Sequence, residues 1–318
     1  MQDIRNSAAP DLTVIVVSYN TRALTLAALR TLRDETRHTD MKVVVFDNAS
    51  ADGSADAIAA EFPTVELIRN PENVGFAQAN NIVAAQADTE WLLLLNPDTE
   101  VYSGAVDNLM NFARNQPSAG IYGGRTVFPD GSLNIASCWM RMTPWSLFCS
   151  ATGLTALAPN SEFFNPEAMG GWKRDTVREV DIVVGCFFLI RHELWNTLGG
   201  FDLRYFMYGE EADLCLRAAR LGYQPMITPD AEIMHIVGAA SKTLGRKMVL
   251  LAKARATLIR DHWPRPWVPF GLAMMWIWAA IRASAFRALS FLGMRRADAK
   301  AVAWLETWQA RHDWLKGY

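Results

Sequence analysis

Apolar residues along the first 120 positions fall into two alternating rhythms. Leu12–Ser18 is a short β-branched run, followed by a stripe of period 3.6 through Leu24, Ala28, Leu29 and Leu32. That order predicts a strand leading into an amphipathic helix. Val43–Phe46 and Val65–Ile68 repeat the strand signal, separated by a short helix over Ser54–Glu61 that Ser54 is suited to cap. Phe76–Ala87 reads as a helix and Trp91–Leu95 as a strand apolar on both faces. Continuous apolar runs alternating with helices predict a doubly wound α/β unit, its parallel sheet covered on both sides.

Beyond Gly120 the pattern loosens. Asp130-Gly131 predicts a turn, and 132–178 is irregular, rich in Pro, Ser, Thr and aromatics. Asp181–Ile190 returns as one buried strand, Arg191–Leu198 as a short helix closed by Gly199-Gly200, Glu210–Leu221 and Thr243–His262 as further helices.

At 318 residues, 51% hydrophobic and 20% charged, the chain is long and apolar enough to bury a sizeable core. Its formal net charge of -2 lacks the basic excess of a nucleic-acid binder. The four cysteines form no C-x-x-C pair, and their spacing suggests reduced thiols rather than a zinc site. Met1–Thr13 is polar, without the charged-then-apolar order of a secretory leader.

Open α/β sheets bind ligands at the carboxyl ends of their parallel strands. Polar clusters stand at those ends here: Ser18-Tyr19-Asn20 after the first strand, Asp47 to Ser54 after the second, Asn96-Pro97-Asp98 after the fourth. Each alone is ordinary turn chemistry. Three on one sheet edge indicate a binding site.

These segments, in this order, resemble the family 2 glycosyltransferases of GT-A fold, in particular the rhamnosyltransferase-like subgroup. The resemblance runs from about Leu12 to about Ser241. It is carried by Val17-Ser18-Tyr19-Asn20, by Asp47-Asn48-Ala49-Ser50-Ala51-Asp52-Gly53-Ser54, by Asn73-Val74-Gly75-Phe76-Ala77 leading to Asn80-Asn81, and by Asn96-Pro97-Asp98. Gly199-Gly200-Phe201-Asp202, Tyr208-Gly209-Glu210-Glu211-Ala212-Asp213-Leu214, and His235 with Gly238 and Ser241 complete it.

The resemblance implies a Rossmann-like GT-A domain over 1–262, with a nucleotide-binding half at about 12–120 and an acceptor half at about 121–262. It implies an inverting transfer of sugar from a nucleotide diphosphate, dTDP-L-rhamnose before UDP-sugars, to a hydroxyl of a lipid-linked or oligosaccharide acceptor. Tyr19 would stack on the pyrimidine and Asp47 would accept its imide N–H. Ser18, Asn20, Asn48, Ser50, Asn73, Gly75, Asn80 and Asn96 would complete the nucleotide site. Asp98, with His235, would hold Mg²⁺ or Mn²⁺, an ion that reaches protein through one or two carboxylates plus substrate phosphates. Two positions depart from the family pattern. Asn96 stands where the metal motif has its first Asp, and Glu211 where the family has its catalytic Asp. Glu211 is the expected base, with Glu210 and Asp213 as candidates. The helix dipole is expected to keep a first-turn carboxylate ionised, while Asp213 also has Arg217 at i,i+4. The loop from His235 to Lys242 is expected to close over the diphosphate, with Lys242 or Arg246 adding charge.

Residues 263–318 form an expected helical tail, in which seven of the twelve tryptophans lie. The uncharged run Pro266–Ile281 falls short of the roughly 20 residues a spanning helix needs. No acidic residue occurs from His262 to Ala297, while Arg265, Arg282, Arg287, Arg295 and Arg296 sit among aromatics. That composition suits an interfacial membrane helix and a cytoplasmic enzyme peripheral to the inner face of the membrane. A helical pair packed on the body, or a homodimer interface, has the same composition. Two further functions stand beside glycosyl transfer: a nucleotide-sugar-binding scaffold without catalysis, and a sugar-1-phosphate nucleotidyltransferase. The latter needs a Gly-rich loop after the first strand, where Ser18-Tyr19-Asn20-Thr21 has no glycine.

Overall fold

The computed structural model describes residues 10–236, 243–294 and 297–318. Its first half alternates as the apolar rhythm predicts. The elements are β1 (Leu12–Ser18), α1 (Arg22–Glu35), β2 (Met41–Asn48), α2 (Ser54–Glu61), β3 (Glu66–Asn70), α3 (Phe76–Ala84), β4 (Trp91–Leu95), β5 (Thr99–Val101) and α4 (Ala105–Asn115). All of β1 and β4 is buried, which is why both read as continuous apolar runs. One face of the sheet packs Val14, Val16, Leu93 and Leu95 against Leu29, Leu32, Ile58 and Leu109; the other packs Ile15, Val17, Leu92 and Leu94 against Ala79 and Val83.

The second half contains β6 (Ile121–Val127), β7 (Leu133–Asn134), β8 (Cys138–Trp139), α5 (Pro144–Thr152), α6 (Leu154–Leu157), β9 (Arg178–Glu179), β10 (Ile182–Val183), β11 (Phe187–Arg191), α7 (His192–Leu198), α8 (Glu210–Arg220) and β12 (Met226–His235). The main sheet runs β3-β2-β1-β4-β11-β6-β12-β5, with β7 on β6 and β9 on β12. Strands β3, β2, β1 and β4 are mutually parallel. β11 lies antiparallel between β4 and β6, and β12 is parallel to β6. β6 and β12 therefore point the same way as β4, and the exit of β12 shares an edge with the exits of β1, β2 and β4.

Three local expectations change. Asp181–Ile190 is two strands, because the chain turns at Val184-Gly185-Cys186; β10 pairs with β8 in a separate two-stranded sheet. Ser54 does not cap α2: the cap position is Gly53 at φ 77, and Asp52 Oδ1 accepts the Ser54 backbone N–H at 3.0 Å. The irregular stretch 132–178 contains α5, opened by a capping box in which Thr143 and Ser146 each bond the other's backbone. Arg174, fully buried, organises this stretch by donating to the carbonyls of Trp172, Ile135 and Ala168.

The last part comprises α9 (Leu244–His262), a 3₁₀ turn at Arg265–Trp267, α10 (Val268–Phe291), α11 (Asp298–Gln309) and α12 (Arg311–Trp314). These helices pack on the body. Ala252, Ala256 and Ile259 of α9, Met275 and Ala279 of α10, and Trp314 close a core with Leu147 of α5. The uncharged run looked too short to span a membrane, yet the helix continues through Arg282 and Arg287. Arg265–Phe291 is the one described segment long and apolar enough to cross a membrane by length and composition, and its apolar window is largely unburied.

Candidate active site

At the exit of β1, Ser18 is buried and its hydroxyl bonds Thr25 Oγ1 at 3.0 Å, so it secures the first turn of α1. Tyr19 next to it is 45% exposed, a ring free to stack on a ligand. Asn20 adopts φ 53, a conformation Asn tolerates better than most residues. Its N–H donates to Ser50 Oγ at 2.9 Å and its Oδ1 accepts from Ala51 N at 2.8 Å. Asn20 and Ser50 thus bind the β1 and β2 loops to each other.

Asp47 ends β2, 4% exposed. Its Oδ2 accepts from Ser50 N at 3.2 Å, while Oδ1 is buried with no partner. An orphaned buried carboxylate oxygen is costly unless a donor arrives. Asn48 is fully engaged: its Oδ1 accepts from Val74 N at 2.8 Å, and its Nδ2 donates to Asn73 Oδ1 at 3.0 Å and to Gly75 O at 3.3 Å. Asn48, Asn73 and Gly75 therefore shape the loop into α3. Asn80 is buried within α3 and donates to Phe76 O at 2.9 Å, its Oδ1 unpaired.

Asn96 follows β4, its N–H held by Cys186 O at 3.0 Å. Asp98 Oδ1 lies 3.3 Å from His235 Nε2, where the exits of β4 and β12 meet through the pairing of β12 with β5. Burial lowers the affinity of His235 for a proton, but the Cys186 sulfur and the Asp98 carboxylate outweigh it and push the pKa up to about 10. A cation coordinated by His235 would displace that proton, since only the neutral imidazole has a lone pair to give. Among the described residues no group of three or more His, Cys, Asp or Glu forms a closed metal cluster. A carboxylate and an imidazole on one point fit Mg²⁺ or Mn²⁺ whose remaining ligands come from a diphosphate and water.

Helix α8 begins beside this edge. A Cβ built on Gly75 would stand 3.5 Å from Phe206 O, so the loop before α8 abuts the loop shaped by Asn48 and Asn73. Asn81 of α3 grips the same loop, accepting from Phe201 N and donating to Phe201 O, both at 2.9 Å. Glu210 is buried, and Glu211 keeps partial exposure with its Oε2 enclosed; neither Oε2 has a partner. The helix dipole was expected to keep these groups ionised. Burial reverses that. It raises both carboxyl pKa values, and the neighbouring Glu211 charge pushes Glu210 further up.

Asp213 is occupied differently. Its Oδ2 accepts from Arg217 Nε at 2.7 Å and its Oδ1 sits 2.8 Å from His262 Nε2 at the end of α9. Burial raises its pKa, but the bonds from His262 and Arg217 prevail and hold it below the ordinary range. A carboxylate with both oxygens committed is a structural anchor rather than a base. His262, 49 residues away in sequence, had no motif to mark it. Residues 237–242, with Gly238, Ser241 and Lys242, lie outside the described residues, and Arg246 is exposed in the first turn of α9.

The sequence profile described as "Glycosyl transferase family 2" matches residues 13–195, more than half the chain. This chain belongs to glycosyl transferase family 2. Among curated relatives, an "N-acetylglucosaminyl-diphospho-decaprenol L-rhamnosyltransferase" of Mycobacterium tuberculosis is 28% identical over 207 residues, 61% of this chain. The match spans 66% of that relative's length, just under two thirds. "Rhamnosyltransferase WbbL" of Escherichia coli is 25% identical over 229 residues, 70% of this chain and 82% of the relative. In fold, the chain is similar to a mannosyltransferase of Pyrobaculum calidifontis in complex with GDP-Man and Mn²⁺, with a TM-score of 0.60 and 20% identity over 96% of this chain and 88% of that one. The fold is GT-A, and family 2 membership leaves the nucleotidyltransferase alternative without support. As a family 2 glycosyltransferase, the chain carries its polar clusters on the sheet edge where the strand exits converge.

Proposed function

We propose that the protein is an inverting rhamnosyltransferase that moves L-rhamnose from dTDP-L-rhamnose to a hydroxyl of a polyprenyl-diphosphate-linked saccharide at a membrane surface. The observation that carries this reading is the meeting of Asp98 and His235 at 3.3 Å on the edge where Asp47 offers an unpaired acceptor. Tyr19 gives the pyrimidine a stacking face, and Asp47 Oδ1 accepts the imide N–H that thymine and uracil have and cytosine lacks. The two rhamnosyltransferase relatives favour the dTDP-sugar over a UDP-sugar.

Asp98 and His235 would hold a divalent cation, which when bound would offset the charge growing on the departing diphosphate. Glu211 takes the acceptor hydroxyl's proton as that oxygen bonds the anomeric carbon. The bond from that carbon to the diphosphate oxygen breaks on the opposite face, and the nucleoside diphosphate leaves with the electron pair. Glu210, more deeply buried and repelled by Glu211, retains its own proton and lowers the local negative charge. Asn96 in place of an aspartate removes one negative charge from this edge, so a cation there would rely more on the donor's diphosphate. The acceptor is membrane-borne, and the arginine- and tryptophan-rich helices after His262 supply the peripheral contact.

Turnover of radiolabelled dTDP-L-rhamnose with decaprenyl-diphosphate-linked N-acetylglucosamine, with and without Mn²⁺, tests the assignment. Product dependent on added metal and abolished by chelation is the expected result. Transfer from UDP-sugars but not from dTDP-L-rhamnose would overturn the donor assignment. Donor binding without turnover of any nucleotide sugar would favour the scaffold.

A further inference from the structure

The segment 201–209, which delivers Glu210 and Glu211, contains no helix or strand. It ends in two consecutive left-handed residues, Tyr208 at φ 69 and Gly209 at φ 91. A non-glycine residue in that region is strained and persists only where its surroundings over-determine it. Asn81 fixes the start of the segment at Phe201.

The end is fixed from the far C-terminal part of the chain. The Tyr318 hydroxyl donates to Met207 O at 2.8 Å, one residue before the left-handed pair. Its ring lies 5.7 Å from that of fully buried Tyr205, at an interplanar angle of 63°. Tyr318 is in turn held by α9: its backbone N–H donates to Thr257 Oγ1 at 2.8 Å, and Lys253 Nζ stands 5.2 Å over its ring. Gly317 has φ 79, and a Cβ there would come within 2.6 Å of Thr257 Oγ1, so the approach requires glycine. α9 also presses on the segment directly, since a Cβ on Gly209 would stand 3.0 Å from Ala254 Cβ.

We propose that Tyr318 is a positioning residue for the acceptor-side carboxylates: docked on α9, it pins Met207 and so sets the entry of α8 that carries Glu210 and Glu211. The strained turn is thereby held by helices outside the matched family region 13–195. The inference rests on Glu211 being the base, so its test separates the two claims.

Tyr318→Phe and Tyr318→Ala are compared with Glu211→Gln in the full chain, using dTDP-L-rhamnose and decaprenyl-diphosphate-linked N-acetylglucosamine. Tyr318→Phe loses one hydrogen bond and is expected to lower kcat by about three- to tenfold, with donor KM within about twofold of the parent. Backbone hydrogen exchange over 205–209 is expected to quicken by about tenfold while β1 and β4 keep their protection. Tyr318→Ala extends both effects; where it fails to fold, the Phe variant still decides. Parent kcat and parent exchange in Tyr318→Phe would overturn the proposal, as would an equal loss of donor binding and protection across the whole sheet. Full transfer by Glu211→Gln with a slowed Tyr318→Phe refutes the base but keeps the positioning role. The exchange measurement reads that role even where this sugar pair is not turned over.

Discussion

Two neighbouring carboxyl groups, Glu210 and Glu211, sit at the start of one helix with enclosed oxygens that no donor reaches. Their folded pKa values lie above the ordinary carboxylate range, so the acid limb of transfer should fall at higher pH than an exposed glutamate would give. A base works only after losing its proton, and a plot of log kcat against pH that declines only below about pH 4.5 would contradict this. Stability runs the other way. Above about pH 4.5 the folded chain keeps protons that the unfolded chain has released, so stability declines as pH rises through that window. Glu210→Gln removes a buried carboxyl whose retained proton costs the folded state more as pH rises. It should therefore raise Tm by roughly 2–4 °C at pH 8 and change it little at pH 4. At Asp98, removal of the carboxylate should reduce transfer by about 100-fold or more, given the several kcal/mol a metal contributes to charge stabilisation. The check independent of turnover is thermal. The parent should gain Tm when Mn²⁺ and dTDP are added together, and Asp98→Ala should gain far less.

Among elements, α8 is secured by its own Arg217 and by His262, which is remote in sequence. Its first turn contains Asp213, clamped by Arg217 and by His262 from the end of α9. Arg217 also donates to the carbonyls of Leu198 and Gly200, tying the helix to the loop after α7. His262→Ala leaves a buried carboxylate oxygen of Asp213 unpaired, and a urea titration should show a loss of about 1–3 kcal/mol. The i,i+4 spacing made the Arg217 pair legible from the sequence. The His262 pair was not, because no periodic rule links two helices across 49 residues. Likewise α5 escaped notice within 132–178: a proline and aromatic-rich run mimics a loop. Its capping box, Thr143 with Ser146, uses a serine where the usual signature has Glu or Gln.

At the scale of the whole molecule, the helices after His262 serve the body and leave apolar surface uncovered. Trp314, Met275 and Trp263 close a core with α5 and α9, while Phe291 is 92% exposed and Leu292 74%. The composition of the tail suited either a membrane contact or packing on the body. The structure shows packing, and the exposed residues beyond it are what the proposed membrane contact would use. Phe291→Glu with Leu292→Glu should weaken sedimentation with vesicles of phosphatidylcholine and phosphatidylglycerol by about tenfold or more, from the burial worth of two large apolar side chains. Unchanged sedimentation would confine these helices to a packing role.

Local pattern was enough to place the strands β1 and β4 to the residue, to make them parallel, and to put Tyr19, Asp47 and Asp98 on one edge. Each of these follows from a local rule: side-chain periodicity sets the element, and chain direction sets which end its polar residues occupy. Long-range packing set the rest: β11 runs backwards between β4 and β6, Asn48 and Asn73 bond each other and the backbone of Val74 and Gly75, and Glu210 and Glu211 are pushed towards protonation. It also brought His262 to Asp213 and Tyr318 to Met207. Burial and pairing belong to whatever distant segment lies over a residue, and no local pattern in the chain encodes that neighbour.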